Sequence, residues 1–466
     1  MQKNKKLINT ALVATIFSLA WPTMLEELMQ TAVQYIDTAM VGTLGTDATA
    51  AVGSTTTVNW LILTTVSALG IGFLSFISRA LGAGDETGAR KASAQAVMAV
   101  IVSGVVFTVL TVSLSNYVPK WMQVDMNIQD MAARYFRILY APMLARSATI
   151  IFGTVLRSAG DTKTPMRVGV VMNVINVLLN FVLIYPTREI TVFSKSVRVF
   201  GAGLGIEGAA AASAVAFTVG GVCMTVALYR HSVISPKGYS ILPDMVILRP
   251  CMKVAVPNML QRFTTSFGYV GFASMINSLG EISTAAHTIA NTVESAFYIP
   301  GYGMQAAAAT LAGNAVGARD NKGLKALSKT IIRIEVVLMI ISGTLLFIFA
   351  SPMMKLFSTD ADVISLGAVV LMMVAVSEPF YGVSIMIEGM LQGVGKTTMS
   401  FVFNIAGMWG VRIAGTFICT RFFSLGLVSA WGCMIAHNLL LFVLFVVYWR
   451  SDRWNPLNNK KCRKTD

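Results

Sequence analysis

Residues 21–45, with the sequence WPTMLEELMQTAVQYIDTAMVGTLG, decide the fold. The stretch is apolar enough to cross a bilayer, for which a helix needs about 20 residues. It nevertheless carries Glu26, Gln30, Gln34 and Asp37, which recur every three to four residues and therefore share one face of a helix. Ionisable groups in such a segment are costly and usually face a bundle interior or a watery pathway. The alternative is a buried carboxylate that only fixes helix packing.

The composition of the whole chain indicates a membrane protein. Of 466 residues, 55% are hydrophobic and only 12% are charged, and the mean hydropathy is +0.68. A soluble protein carries about 25% charged residues. The net charge of +14 could suggest a nucleic-acid partner, but the positive residues lie between apolar spans and not in one basic patch. We therefore expect the lipid bilayer as the partner, and no nucleic acid.

About twelve apolar spans can be counted, and long uninterrupted runs of this kind favour helices, which satisfy their own backbone groups in lipid. The predicted fold class is therefore an all-α membrane protein with twelve transmembrane helices. The spans cover residues 12–43, 48–78, 93–117, 130–156, 166–186, 206–229, 250–278, 283–313, 327–350, 361–391, 399–420 and 425–449. Alternate connections hold about 24 of the 36 Lys and Arg residues, which predicts that both termini are cytoplasmic.

The chain is also an internal repeat. One ungapped shift of 235 residues aligns several turn and helix-end residues, including the pairs Pro22/Pro257, Gly82/Gly317, Asp85/Asp320, Gly88/Gly323 and Gly160/Gly395. Each half holds six helices, an even number, so the halves should share one orientation and be related by a pseudo-two-fold axis along the membrane normal. The predicted domains are residues 1–235, residues 240–450 and a cytoplasmic basic tail, 451–466.

Nothing in the sequence predicts an enzyme, a metal site or a cofactor. The three histidines are scattered, and no cysteine pair has metal-ligand spacing. Residues 391–399, LQGVGKTTM, imitate a phosphate-binding loop, but Met390 stands where the first glycine should be and no strand precedes it. A nucleotide site is therefore rejected, and a membrane-embedded enzyme is disfavoured.

Three pieces of sequence together resemble a known family. They are residues 22–45, residues 79–92 (RALGAGDETGARKA) and residues 156–180 (LRSAGDTKTPMRVGVVMNVINVLLN). Two segments of the second half match them, residues 314–326 (NAVGARDNKGLKA) and residues 391–399 (LQGVGKTTM). Together these segments are similar to the multidrug and toxic compound extrusion family, the MATE transporters. The resemblance covers roughly residues 10–450. It implies a V-shaped transporter of two six-helix lobes in the bacterial inner membrane.

The resemblance also implies an activity, the export of amphipathic organic cations or drugs in exchange for protons or sodium ions by alternating access. The coupling ion is then H⁺ or Na⁺, and we expect a monomer. The alternative is a flippase or exporter of a lipid-linked or anionic metabolite from the same wider superfamily. Such proteins favour a basic cavity, whereas the cavity candidates here are mainly acids and amides.

The resemblance assigns ion coupling to Asp37, which stands in the family's DTxMVG setting. Proton-type members pair an Asn with an Asp four residues later on the fifth helix, but this chain has Asn176 and Asn180. Coupling therefore rests on Asp37 alone or draws on another carboxylate, for which Glu26 is the candidate on the same face. Sodium-type members carry acidic groups on the seventh and tenth helices. Here the tenth span offers Glu378 and Glu388, but the seventh offers Gln261 and no acid, so the resemblance favours protons over sodium.

Other embedded polar residues are predicted to line a substrate cavity: Gln30, Gln34, Asn173, Gln261, Glu294 and Glu378. The asparagines of the fifth span could instead join helices, and Glu378 could simply cap a helix break before Pro379. Pro22 and its repeat partner Pro257 are predicted hinges, since a proline removes a backbone hydrogen bond inside a helix. A static kink is the alternative for both prolines.

Overall fold

The structure is a computed structural model and is almost entirely helical. It describes residues 2–122, 124–192 and 195–458, and the side chains of all of these except residues 2–9, 57 and 190–197. Of the predicted basic tail, residues 459–466 lie outside the described part. The first half contains α1 (Gln2–Gly42), α2 (Thr46–Gly82), α3 (Glu86–Leu114), α4 (Val118–Trp121), α5 (Met126–Tyr140), α6 (Met143–Ser158), α7 (Lys163–Leu183) and α8 (Gly205–Arg230).

The second half is also mainly helical. It contains α9 (Met245–Asn277), α10 (Glu281–Phe297), α11 (Ile299–Gly317), α12 (Asn321–Phe357), α13 (Ala361–Ala375), α14 (Glu378–Val394), α15 (Thr397–Ile405), α16 (Ala414–Arg421) and α17 (Leu427–Arg450), with a π-helical segment, Ala406–Ile413, between α15 and α16. Two pairs of consecutive helices are bent at a short break, α5–α6 by 51° and α13–α14 by 54°. Within the described residues the spans follow the predicted order, and the all-α fold with twelve transmembrane helices is confirmed.

The 235-residue repeat of the sequence is visible in the backbone. Gly45 and Gly280 have φ of 112° and 103°, a region that side chains rarely enter. The next connection is matched as well: Asp85 accepts from the Gly88 amide at 2.8 Å, and the repeat partners of these two residues form the same cap, also at 2.8 Å. The aligned glycines and aspartates therefore build the same turns and the same helix starts in both halves.

A two-stranded hairpin interrupts the helices between α7 and α8. The strands β1 (Pro186–Val192) and β2 (Lys195–Ala202) pair antiparallel. Arg188 lies over the ring of Tyr185, with its guanidinium carbon 3.9 Å from the ring centroid. The predicted spans left residues 187–205 unassigned, because a short hairpin between long apolar spans gives little signal beside them.

The two halves pack closely at the end of the bundle where α1 begins and α17 ends, here called the termini side. Ser75 Oγ of α2 donates to Gly393 O of α14 at 3.0 Å. Gly82 of α2 lies against α11, and a methyl group there would lie 2.1 Å from Asn314 O. Glycines thus allow helices of different halves to approach at backbone distance.

Replacing Gly82 by alanine should open this contact, because the added methyl group cannot fit against the Asn314 carbonyl. We expect the free energy of unfolding to fall by about 1–3 kcal/mol, as for other overpacked sites. The matched control is Gly53→Ala in the same helix, where a methyl group meets nothing within 4 Å. Thermal unfolding of the purified protein measures both. An equal response of the two variants would contradict the close contact.

Candidate functional site

Asp37 lies near the C-terminal end of α1, where α1 packs against α7. Its Oδ1 accepts a hydrogen bond from Asn180 Nδ2 at 2.5 Å. Asn176 is one turn earlier on α7, and the two asparagines are only 6% and 1% exposed. The structure therefore brings together three of the four residues predicted for ion coupling. Two of them are amides, which can hold a carboxylate without neutralising it.

Asn176 connects Asp37 to the next helix. In the amide orientation that satisfies both neighbours, its nitrogen donates to Asp37 Oδ1 at 2.8 Å and its oxygen accepts from Ser213 Oγ of α8 at 3.0 Å. Tyr135 of α5 lies within electrostatic range of the same carboxylate. Ser213 and Tyr135 were not identified from the sequence, because nothing in a linear pattern tells which residues of α5 and α8 face α1.

Within the described part of the chain, no cationic side chain pairs with Asp37. Every ion pair found there involves other carboxylates. A carboxylate supported only by neutral donors remains free to take up a proton, a metal cation or an organic cation. The arrangement can therefore bind one cation at a time.

Glu26, the fourth predicted coupling residue, lies apart from Asp37. The two are separated by about 16 Å along α1 at 1.5 Å per residue. Both carboxylate oxygens of Glu26 accept from Arg157 Nη2 of α6 at 2.7 Å, and Glu26 is 6% exposed. Gln30 and Gln34 between them are exposed. The polar stripe expected on one face of α1 thus divides into two separate groups.

The polar residues of the second half form two further groups. Gln261 of α9 donates to Glu388 Oε1 of α14 at 2.9 Å, and Asn404 of α15 donates to Glu388 Oε2 at 3.4 Å. Glu294 of α10 and Glu378 of α14 are buried and lie within electrostatic range of each other. Gln261 therefore belongs to a hydrogen-bonded group with Glu388, and Glu294 lies near Glu378.

Glu335 of α12 was not identified from the sequence. It is fully buried, lies within electrostatic range of Glu378, and neither of its oxygens has a hydrogen-bond partner in the described part of the chain. Gly301 and Gly382 make room for it, since a methyl group at Gly301 would lie 2.9 Å from Glu335 Oε1. A lone glutamate inside the apolar span 327–350 was the available signal.

Replacing Glu335 by methionine should stabilise the protein. The side chains have similar shape, and the change removes two buried oxygens that lack partners, which each cost about 1–3 kcal/mol. We expect a rise of that order in the free energy of unfolding, measured by denaturation of the purified protein. Glu281→Met at an exposed position of α10 is the control, with a change within about 1 kcal/mol. A loss of stability at Glu335 would mean that its carboxyl holds a partner in the membrane.

The remaining predicted residues stand alone. Asn173 on α7 has a buried Nδ2 without a hydrogen-bond partner among the described residues. Pro22 and Pro257 lie inside α1 and α9, and both helices continue on either side of the proline. Their role as hinges stays a prediction.

Comparison with known proteins matches these features to one family. The family model MatE matches residues 22–182 and again residues 257–418, and the two segments start at the aligned prolines. The "Probable multidrug resistance protein NorM" of Thermotoga maritima is 25% identical, over 94% of this chain and 92% of its own length. The "Probable multidrug resistance protein YoeA" of Bacillus subtilis is also 25% identical, over 93% of each chain.

Solved structures have the same fold. The "Crystal structure of MATE in complex with MaD3S" superposes with a TM-score of 0.86 at 23% sequence identity, covering 95% of this chain and 96% of that one. The matched segments include α1 with Asp37, α7 with both asparagines, and their counterparts in the second half. This chain is therefore a multi-pass membrane transporter that belongs to the MatE family of multidrug efflux proteins.

Proposed function

We propose that the protein is a secondary active antiporter that exports amphipathic organic cations or drugs in exchange for protons, or sodium ions, by alternating access. The observation that carries this proposal is the Asp37 carboxylate, held by Asn176 and Asn180 and unpaired with any cationic side chain of the described chain. The relatives named as probable multidrug resistance proteins support the substrate class.

Antiport follows from competition for one carboxylate. An inward-moving ion and an outward-moving organic cation both need the negative charge of Asp37, so binding of one displaces the other. The desolvated surroundings make that charge costly when it is bare, which penalises an empty, ionised site during the conformational change. Exchange is then coupled because the protein changes conformation only with Asp37 occupied.

Because of the position of α1, a cation bound at Asp37 can affect the packing between the two halves. This helix packs against α7 at Asp37 and against α11 near its middle, where a methyl group on Gly303 would lie 2.4 Å from Met24 Cγ. A change in the Asp37–Asn180 contact therefore acts on a helix that touches both halves of the chain. We propose that α1 repacks between the inward-open and outward-open states, with Pro22 as the bend.

Transport into proteoliposomes tests the proposal. Purified protein is reconstituted, and uptake of a fluorescent organic cation is followed under an imposed pH gradient, an imposed sodium gradient, or neither. Uptake driven by one gradient, with a counter-flux of the same ion, supports antiport and identifies the ion. Uptake of an anionic or lipid-linked substrate without organic-cation transport would favour the flippase alternative.

We further propose an inner-membrane location with both termini in the cytoplasm. A membrane-impermeant thiol label applied from outside should modify a cysteine introduced by Lys195→Cys and leave Cys462 unmodified in intact cells. The opposite pattern, or labelling of both from one side, would contradict this orientation.

A further inference from the structure

We propose that the termini side of this protein carries a binding site for the phosphate headgroup of an anionic phospholipid, in a cavity lined by Arg79, Arg249 and Lys253. The cavity has a volume of about 740 Å³. It lies far from Asp37, so this inference does not depend on the proposed function.

The charge of the cavity is of one sign. Arg79 comes from the end of α2, and the other two basic residues lie one turn apart at the start of α9. No Asp or Glu is among the lining residues, and none of the ion pairs of the described chain involves these three cations. Three positive charges that share one cavity without a counter-ion favour an anionic ligand.

Arg79 is held in place by one hydrogen bond, and its two terminal nitrogens remain available to a ligand. Its Nε donates to Ser75 O at 2.8 Å, which fixes the plane of the guanidinium group. Gly395, between α14 and α15, has φ of +80° and lies so close that a Cβ there would be 3.3 Å from Arg79 Nη1. The Nη1 and Nη2 groups donate to no other residue of the described chain and suit the paired oxygens of a phosphate group.

The rim of the cavity argues for a lipid and against a free anion. Met245 and Val246 line it and are 69% and 79% exposed, and the half-buried Pro250 adds apolar surface. Basic groups beside exposed apolar side chains match a molecule with a phosphate headgroup and acyl chains. A small inorganic anion would leave this apolar surface uncovered.

The cavity is shared by the two halves of the chain. Arg79 belongs to the first half, whereas α9 and the turn at Gly395 belong to the second. A lipid headgroup bound here touches both halves and stabilises the arrangement in which they meet at the termini side. A ligand favours the conformation that binds it better. An anionic membrane should therefore shift the conformational equilibrium toward the state in which the two halves are in contact at the termini side.

Lipid binding to the purified full-length protein in detergent tests the site. Short-chain phosphatidylglycerol, short-chain phosphatidylcholine and inorganic phosphate are titrated separately, with native mass spectrometry as the readout. The double variant Arg249→Gln/Lys253→Gln should bind phosphatidylglycerol about 30-fold more weakly than the parent, since each basic residue near an anionic lipid contributes about fivefold. Both side chains are exposed, so the variant should fold normally.

The matched control is Lys91→Gln/Arg230→Gln, which removes two exposed basic residues outside the cavity. Its affinity for phosphatidylglycerol should stay within about twofold of the parent's, as expected for exposed charges far from the ligand. Equal loss in both variants, or equal binding of phosphatidylcholine, would overturn the proposal. Inorganic phosphate binding as tightly as phosphatidylglycerol would overturn the lipid assignment and make the ligand a free anion.

Discussion

Replacing Asp37 by asparagine is expected to abolish ion-driven export while the protein stays folded. The amide cannot take up a proton or attract a cation, yet it keeps the shape of the carboxylate beside Asn180. We expect gradient-driven transport to fall by about 100-fold, the lower range for loss of an essential proton-transferring group. The measurement is the initial rate of organic-cation transport in proteoliposomes with an imposed pH or sodium gradient.

The matched control is Asp47→Asn, an exposed carboxylate in the first turn of α2. It removes the same charge from the same end of the molecule, so its transport rate should stay close to the parent's. Thermal unfolding separates loss of coupling from loss of folding, because the Asp37 variant should change stability by no more than about 1 kcal/mol. Wild-type transport in the Asp37 variant with either gradient would exclude this residue as the coupling site.

Removing Arg157 is expected to destabilise the protein more than any other single change discussed above. Its guanidinium bonds both oxygens of Glu26, which is 6% exposed, and it interacts electrostatically with the adjacent Glu27. Arg157→Gln leaves a buried carboxylate without its partner, a change that costs about 3–5 kcal/mol. Thermal or chemical unfolding of the purified protein measures the loss.

A double-mutant cycle identifies the cause. Glu26→Gln alone should cost less, because Arg157 keeps an electrostatic interaction with Glu27. The double variant Glu26→Gln/Arg157→Gln removes both charges and should recover part of the stability lost by Arg157→Gln. Contacting charges typically give coupling energies of about 0.5–3 kcal/mol. If the losses in free energy of unfolding of the two single variants add up to that of the double variant, the Glu26–Arg157 interaction contributes nothing to stability.

The long helices could be predicted because their signal is local. An apolar run of span length must be helical in lipid whatever surrounds it, so the twelve spans followed from the sequence. The repeat was equally accessible, since Gly45 and Gly280 occupy a backbone region that glycine alone enters readily. The hairpin β1–β2 was missed because its two strands are stabilised mainly by each other.

The candidate site was only partly predictable, because helical spacing says which residues share a face but not what that face meets. Asp37, Asn176 and Asn180 were singled out as polar residues in apolar spans, and the structure places them in contact. The same reasoning grouped Glu26 with Asp37, whereas the side chain of Arg157 from α6 reaches Glu26.

The sequence by itself determined the membrane class, the number of spans, the repeat and the polar residues that can carry function. Each of these depends on composition or on spacing along one chain segment. Only the tertiary structure decided which of those residues meet: the amides around Asp37, the arginine on Glu26 and the unpartnered Glu335. The physical reason is that a buried polar group is defined by its neighbours, and these neighbours come from helices more than 100 residues away along the chain.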